Sequence, residues 1–307
     1  MANWTVSDIP HQRGRSALVT GAAGLGFEDA LALARAGAEV ILASRDPAKG
    51  TRAVEEIHRA VPSANVRFEA LDLASLASVA AFSARLLGQR DSLDVLINNA
   101  GVMRPPQRME TADGFELQLG TNHLGHFALT AGLMPLLVKA RKARVVTLSS
   151  IAARGGGIDF DDLQSTRRYR SMAAYSQSKL ACLMFAFELQ RRSEAGGWGV
   201  ASLAAHPGLS RTELLLNAPG AEGRINPLFA LFRRTMQPAS QGALPTLFAA
   251  TAPEARPGGY YGPDRMSETR GHPAPSRVPP QAADTAVAER LWRVSEELTG
   301  VSFPAAA

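Results

Sequence analysis

Six short runs of β-branched and apolar residues punctuate the first two thirds of the chain, and each of the first five precedes a longer stretch with helical spacing. The runs are SALVT (16–20), EVILA (39–43), VRFEA (66–70), DVLIN (94–98), RVVTLS (144–149) and VASLAA (200–205). They read as buried strands. The helical stretches cover 27–36, 47–60, 76–87, about 113–140 and about 174–192. Strands alternating with helices imply βαβ units, a parallel sheet and right-handed crossovers. The fold class is α/β: a doubly wound, mostly parallel sheet with helices on both faces.

After Pro207 the pattern changes. Residues 209–238 are irregular, and a helix is expected near 240–250. Residues 253–280 hold seven of the 19 prolines and read as mostly extended loop. A terminal amphipathic helix over about 285–298 would pack Val287, Leu291, Val294 and Leu298 inward. This tail lacks the apolar content for a core of its own. Residues 1–307 therefore read as a single domain with an insertion loop at 151–174, a covering and extended region at 209–280, and a terminal helix and tail at 281–307.

Composition bounds the picture. At 46% hydrophobic and 20% charged, the 307 residues can bury a substantial core, which excludes wholesale disorder. One cysteine, Cys182, allows no intramolecular disulfide and no cysteine-cluster metal site, and a reducing compartment is the default. No apolar run reaches the ~18 residues of a membrane span, and the best candidate, 127–138, contains Pro135. The first ten residues lack the regions of a signal peptide. A cytoplasmic protein with no membrane partner is expected. The net charge of +5 raises the question of nucleic acid. The basic residues are scattered, however, with no interleaved aromatics to stack on bases. Their densest cluster, Lys139, Arg141, Lys142 and Arg144, follows a long apolar segment, where cations complement a helix C-terminus. No nucleic-acid partner is expected.

Every unusual polar cluster falls just past the carboxyl end of a predicted strand: TGAAGLG, SRD, LD, NNAG, SS and HPG in turn. In an open parallel sheet that edge binds ligands. Gly21, Gly24 and Gly26 lie between strand and helix, where missing side chains let the backbone approach a pyrophosphate held at the helix N-terminus. Tyr175 and Lys179, four apart on a helix, share a face. A phenol with a pKa of about 10 works as acid and base near neutrality only when its phenolate is stabilised, and an adjacent ammonium does this. Ser150, ending the fifth strand, is placed to donate to the same substrate oxygen. The chain has only four lysines among 33 basic residues, which makes one at this spacing from a tyrosine informative.

TGAAGLG, Asn98–Gly101 (NNAG), Ser149–Ser150, YSQSK (175–179) and HPGLSRT (206–212) together resemble the signature set of the short-chain dehydrogenases/reductases, which share the Rossmann fold. TNHLGHF (121–127) and the 24 residues between Ser150 and Tyr175 are similar to the retinol dehydrogenase and protochlorophyllide reductase-like branch. The resemblance covers about 14–212. It implies hydride transfer between nicotinamide C4 and a substrate carbon, with Tyr175 as general acid/base and Lys179 as modulator of its pKa and ligand of the nicotinamide ribose. Ser150, rather than Ser149, would orient the substrate oxygen. Asn122 would hold a water linking Lys179 to solvent. For the cofactor, the resemblance implies Gly21, Gly24, Leu25 and Gly26 at the phosphates, and Ser44 and Arg45 at the adenosine ribose. Asp72 and Leu73 would meet the adenine, Asn98, Ala100 and Gly101 would line the adenosine, and Pro207, Gly208 and Thr212 would close over the nicotinamide. It also implies a homodimer or higher homo-oligomer, using helices that include the one carrying Tyr175.

One departure stands out. The family pattern is TGxxxGxG, whereas residues 20–26 read TGxxGxG, one residue short beside the phosphates. A tightened loop with lowered or shifted cofactor affinity is expected. Cofactor choice rests on the end of the second strand. Asp46 has about the spacing of the acid that binds the NAD ribose, but it directly precedes Pro47, where an Asp is ordinarily a helix N-cap. Arg45 suits the NADP 2′-phosphate, so NADP is favoured over NAD. The substrate should be small and largely apolar, because Leu214, Leu215, Leu216, residues 228–232 and Met236 would cover the site. The rival reading is a non-catalytic, nicotinamide-binding redox sensor on the same fold. His123 and His126, flanking a helix kink near Gly125, read as packing or hydrogen-bonding residues, His206 as ordering the following turn, and Cys182 as a core residue. No metal site is expected. Asp159, Asp161 and Asp162 lack the spaced glycine and terminal glutamate of a calcium loop.

Overall fold

The computed structural model describes residues 3–211 and 236–304. Six strands take the places of the apolar runs: β1 (Ser16–Thr20), β2 (Glu39–Ser44), β3 (Asn65–Ala70), β4 (Val95–Asn98), β5 (Arg144–Leu148) and β6 (Ala201–Ala205). They pair in parallel in the order β3-β2-β1-β4-β5-β6, so the chain reverses direction across the sheet between β1 and β4. Side chains alternate between two core layers. Ala17, Val19, Val40, Leu42, Ile97 and Val146 face one layer, and Leu18, Ile41, Leu96 and Val145 face the other. Helices α1 (Leu25–Arg35) and α2 (Pro47–Ala60) cover the first layer, and α3 (Leu76–Gln89) covers the second. Side-chain caps start α2 and α3: Asp46 accepts from the Lys49 amide and Ser75 from that of Ser78. No helix among the described residues is long and apolar enough to cross a membrane.

The expected helix over 113–140 begins later and is not uniform. Residues 112–114 form a turn, Glu116 bridges to Glu110, and the Glu116 carboxylate caps α4 (Leu117–Leu119) by accepting from the amides of Gln118 and Leu119. A π-helical turn, Gly120–Leu124, follows, and α5 (Gly125–Leu137) continues the helix. The widened turn stands where a kink was expected. A Cβ on Gly125 would lie 2.3 Å from the Leu73 carbonyl oxygen, so only glycine allows the helix this close to the β3–α3 loop. Beyond β5 come a 3-10 turn, Ile151–Gly155, and the long α6 (Ser171–Ala195).

Residues 253–280 correct the expectation of an extended loop. They contain β7 (Tyr260–Arg265), parallel to β6, and β8 (Arg270–Pro275), antiparallel to β7. Pro263, Pro273 and Pro275 disguise these strands in the sequence. Sheets accept proline at edges and bulges, and here β8 is the outermost strand while the register shifts between Pro263 and Arg265. Between β6 and β7, α7 (Ala239–Gly242) and α8 (Leu244–Thr251) occupy the predicted helical stretch. Arg144 donates to the carbonyls of Ala249 and Ala252, so this member of the basic cluster caps the C-terminus of α8 rather than that of α5. The terminal α9 (Thr285–Thr299) packs Val287, Leu291, Val294 and Leu298 inward as predicted. It also buries Trp292 among Phe127, Phe185 and Phe303. The Ser295 hydroxyl, which donates to the Leu291 carbonyl, lies 2.8 Å from His123 Nε2 and anchors α9 to the π turn.

Asp29 on α1 is wholly buried, and neither carboxyl oxygen has a hydrogen-bond partner among the described residues. Burial, reinforced by the charge of Glu28, raises its pKa well above the ordinary carboxylate value. Such an acid contributes fully to stability only below its unfolded pKa of about 3.9. The contribution is lost as pH rises toward the folded pKa, at about 1.4 kcal/mol per pH unit. The Asp29→Asn variant should therefore gain stability relative to the natural chain between pH 4 and 7. Urea unfolding at both pH values measures this, and a difference independent of pH would contradict it.

Candidate active site

The parallel strands end on one edge and bring the predicted polar clusters together there. At its centre lies Thr20, the last residue of β1, which is fully buried. Its hydroxyl oxygen accepts from the amides of Asn99 (2.9 Å) and Ala100 (3.0 Å), and lies 3.2 Å from the Ile97 carbonyl and 2.9 Å from His126 Nε2. Asn99 donates back to the Thr20 carbonyl. His126 Nδ1 pairs with the Asn122 carbonyl at 2.9 Å. Burial lowers the His126 pKa to about 4, against the pull of that carbonyl and helped by the charge of Lys179, so the imidazole is neutral near pH 7. Burial lowers His123 further, to about 3. Both histidines thus serve hydrogen bonding and packing.

The glycine loop is close-fitting. A Cβ on Gly26 would meet the Gly21 carbonyl oxygen at 2.1 Å, and Gly24, at φ 56° and ψ −120°, takes a conformation reserved for glycine. Gly24 leaves the N-terminus of α1 with no side-chain cap, in contrast to α2 and α3, and Leu25 begins the helix. Uncapped helix N-terminal amides fit a phosphate. Leu73 is buried against Gly125, while Asp72, whose carboxylate accepts from the Ala74 amide, remains partly exposed. Asn98 is placed differently from its neighbours. Buried, it donates to Thr130 and lies 3.5 Å from Thr147, so it braces the edge from beneath.

The structure brings Asn122, Lys179 and Gly101 together. A Cβ on Gly101 would lie 3.0 Å from Asn122 Oδ1 and 3.6 Å from Lys179 Nζ. Asn122 clamps the chain after β4, accepting from the Val102 amide at 2.7 Å and donating to the Val102 carbonyl at 3.0 Å. Its amide also donates to Ser178, whose hydroxyl donates to the Tyr175 carbonyl. Asn122, on the π turn, is thus stitched to the helical turn that carries Tyr175. Lys179 directs one N–H to the Leu148 carbonyl at 3.0 Å, keeping two donors for other partners. Ser149 donates to the Lys179 carbonyl at 2.8 Å, which commits it to packing β5 on α6. Ser150 is half-buried, its hydroxyl oxygen accepting a 3.2 Å bond from the Ala152 amide.

At the second strand, Asp46 caps α2, with its Oδ1 3.1 Å from the Lys49 amide. Ser44 hydrogen-bonds the Asp46 carbonyl, and Arg45 is exposed. Arg45 and Asp72 line one open hollow of about 660 Å³. After β6, His206 Nδ1 accepts from the Gly208 amide and orders the turn, with Pro207 and Gly208 half-buried. Thr212 and residues 214–216 and 228–232 lie outside the described residues, and Met236 is buried. The motif reading missed Thr20, Asn99 and Ser178 as organisers, although all three lie inside the motifs it used.

The short chain dehydrogenase model matches residues 15–222, and the chain belongs to that family of hydride-transferring oxidoreductases. Within the family it falls in the retinol dehydrogenase-like branch. It is 41% identical over 300 residues to human (Homo sapiens) retinol dehydrogenase 13, covering 95% of this chain and 86% of that one. It is 42% identical over 293 residues to retinol dehydrogenase 12 of Mus musculus, covering 94% and 88%. An uncharacterised Mycobacterium paratuberculosis protein of known structure superposes with a TM-score of 0.81 at 39% identity, covering 99% of this chain and 100% of that one.

The Thr20 hydroxyl should prove essential to the edge. Thr20→Val keeps the side chain's shape but strands the Ala100 amide, at about 1–3 kcal/mol, and leaves the Asn99 amide only its 3.0 Å bond to the Ile97 carbonyl. A loss of roughly 1–3 kcal/mol in urea unfolding is expected, with Thr20→Ser restoring most of it. A loss below about 0.5 kcal/mol would show that these amides find other partners.

Proposed function

We propose that the chain is an NADP(H)-dependent alcohol dehydrogenase or carbonyl reductase acting on a small, largely apolar substrate. The observation that carries this reading is the meeting of Asn122 and Lys179 beside Gly101 at the strand edge, with Asn122 bonded through Ser178 to the helical turn that carries Tyr175 and Ser149 engaged by the Lys179 carbonyl. When bound, the nicotinamide dinucleotide supplies or accepts the hydride. Tyr175 moves the proton to or from the substrate oxygen, with the Lys179 ammonium one helical turn away on the same helix. Ser150 donates to the same oxygen and fixes its position. Asn122, held by Val102 and Ser178, supports Lys179 and the water-mediated proton path proposed for it.

The uncapped start of α1, behind a loop whose glycines let Gly21, Gly26 and Asn99 pack tightly, supports phosphate binding there. NADP is favoured over NAD because Asp46 is engaged as a helix cap while Arg45 stands exposed at the same edge. The substrate class draws on the names of the retinol dehydrogenase relatives, which denote an apolar alcohol, and on the exposed apolar side chain of Leu209 beside the Gly208 turn. Self-association belongs to the same reading. Within the chain α6 packs on α9 and is buried from Ala174 to Gln190 except at half-buried Phe187, so an interface would use its exposed ends or other elements.

Two measurements test the assignment. Tyr175→Phe should lower turnover of an aldehyde and ketone panel at least about a hundredfold while cofactor binding stays within about threefold of the natural chain. Persistent activity would refute the acid/base assignment. NADPH should bind more tightly than NADH, with the preference weakened in Arg45→Ala, and tighter NADH binding would reject the cofactor choice.

A further inference from the structure

The β7–β8 hairpin turn, in a region read from sequence as loop, reaches the same strand edge as the proposed site. Because β7 runs parallel to β6, its carboxyl end and the turn after it lie beside His206, Pro207 and Gly208. The Leu209 amide donates to the Thr269 carbonyl at 2.7 Å, and a Cβ on Gly208 would meet that carbonyl oxygen at 2.4 Å. The turn is conformationally demanding: Met266, Ser267 and Glu268 have φ of 50°, 55° and 66°, left-handed values that side chains other than glycine's disfavour. Three consecutive residues of this kind persist only where surrounding contacts hold them.

The contacts that hold them converge on Glu268. Its Oε2 accepts from His206 Nε2 (3.0 Å), from the Ser276 hydroxyl (2.8 Å) and from Arg154, and its Oε1 accepts from the Arg277 amide (3.1 Å). Arg154 also donates to the Ser267 carbonyl. Burial alone would raise the Glu268 pKa. The bonds from His206, Arg277 and Ser276 and the Arg154 charge outweigh it and hold the pKa at about 2, so the group is a carboxylate across the neutral range. Ser276, His206 and Glu268 have the composition of a hydrolytic triad but not its geometry. The acid and the hydroxyl meet the same ring nitrogen, the other nitrogen accepts from Gly208, and the imidazole is fully buried.

The two ends of this cluster matter. Arg154 belongs to the 3-10 turn that Ser150 caps, and His206 orders the turn at Pro207–Gly208. Glu268 is therefore bonded to one residue from each wall of the proposed site. We propose that Glu268 is a positioning residue, which locks the Ser150 turn against the His206–Gly208 turn and so sets the substrate oxygen relative to the hydride path. The role rests on the oxidoreductase reading above. Glu268 touches neither reactant, and its effect is transmitted through Arg154 and His206.

Glu268→Ala should lower kcat about tenfold by loosening alignment, while the Kd for NADPH and the KM stay within about threefold. Glu268→Gln, which retains hydrogen-bonding capacity without the charge, should recover part of the loss. In Arg154→Ala the loss should be similar, and the double variant should be no worse than either single one. A structural role alone would lower the folded fraction yet leave kcat per folded molecule unchanged, and that outcome overturns the proposal. Additive losses in the double variant overturn it as well. Amide hydrogen exchange separates failure of this inference from failure of the oxidoreductase reading. If the natural chain turns over nothing in the panel, faster exchange in Glu268→Ala at 150–155 and 206–209, alongside the hairpin residues 266–269 and 277, still supports the lock, and unchanged exchange at 150–155 and 206–209 refutes it.

Discussion

A single buried hydroxyl, that of Thr20, joins the three parts that the site requires. It receives the backbone leaving β4, sits where the glycine loop leaves β1, and touches His126, which reaches back to the Asn122 carbonyl. With no water to compete, each of these groups would be costly to leave unpaired, and the low dielectric strengthens the bonds that are made. The strands supply an edge on which ligands are expected, but pleated hydrogen bonding alone does not say how the loops leaving that edge sit against one another. The polar stitching through Thr20, Asn99, Asn122 and Ser178 does.

The parallel half of the fold was legible because burial on both faces writes continuous apolar runs into the sequence, and helices with side-chain caps announce their starts. Where physics departed from those cues, the reading departed too. Prolines in 260–275 pointed to loop, yet β8 is the last strand of the sheet and its outward side needs no ladder. The π turn at Gly120–Leu124 has no periodic signature, since it adds one residue to a helix whose neighbours fix its path. Glu116, in a segment read as helix, turned out to be the cap that begins one.

The site shows a similar split. Tyr175, Lys179, Ser150 and Asn122 stand out as candidates because spacing and family resemblance mark them, and the cap role of Asp46 followed from the Pro47 after it. Preferring Ser150 to Ser149 has a local physical argument, because the Ser149 hydroxyl is bonded to the backbone of α6. The partnership of Arg154, His206 and Glu268 spans more than a hundred residues of sequence, and no short motif encodes it. It depends on a hairpin that the sequence conceals.

That hairpin also determines where the sheet stops. An outer strand normally offers a row of free amides to any other extended chain. On β8, Pro273 and Pro275 have no amide hydrogen, the Gly271 amide is taken by Gln237, and the His272 amide by Asp264. The donors an incoming strand would need are missing or already in use. The prolines that hide this strand from sequence reading thus make it a poor template for edge-to-edge growth, so the protein closes that side of its sheet against aggregation without needing a covering helix.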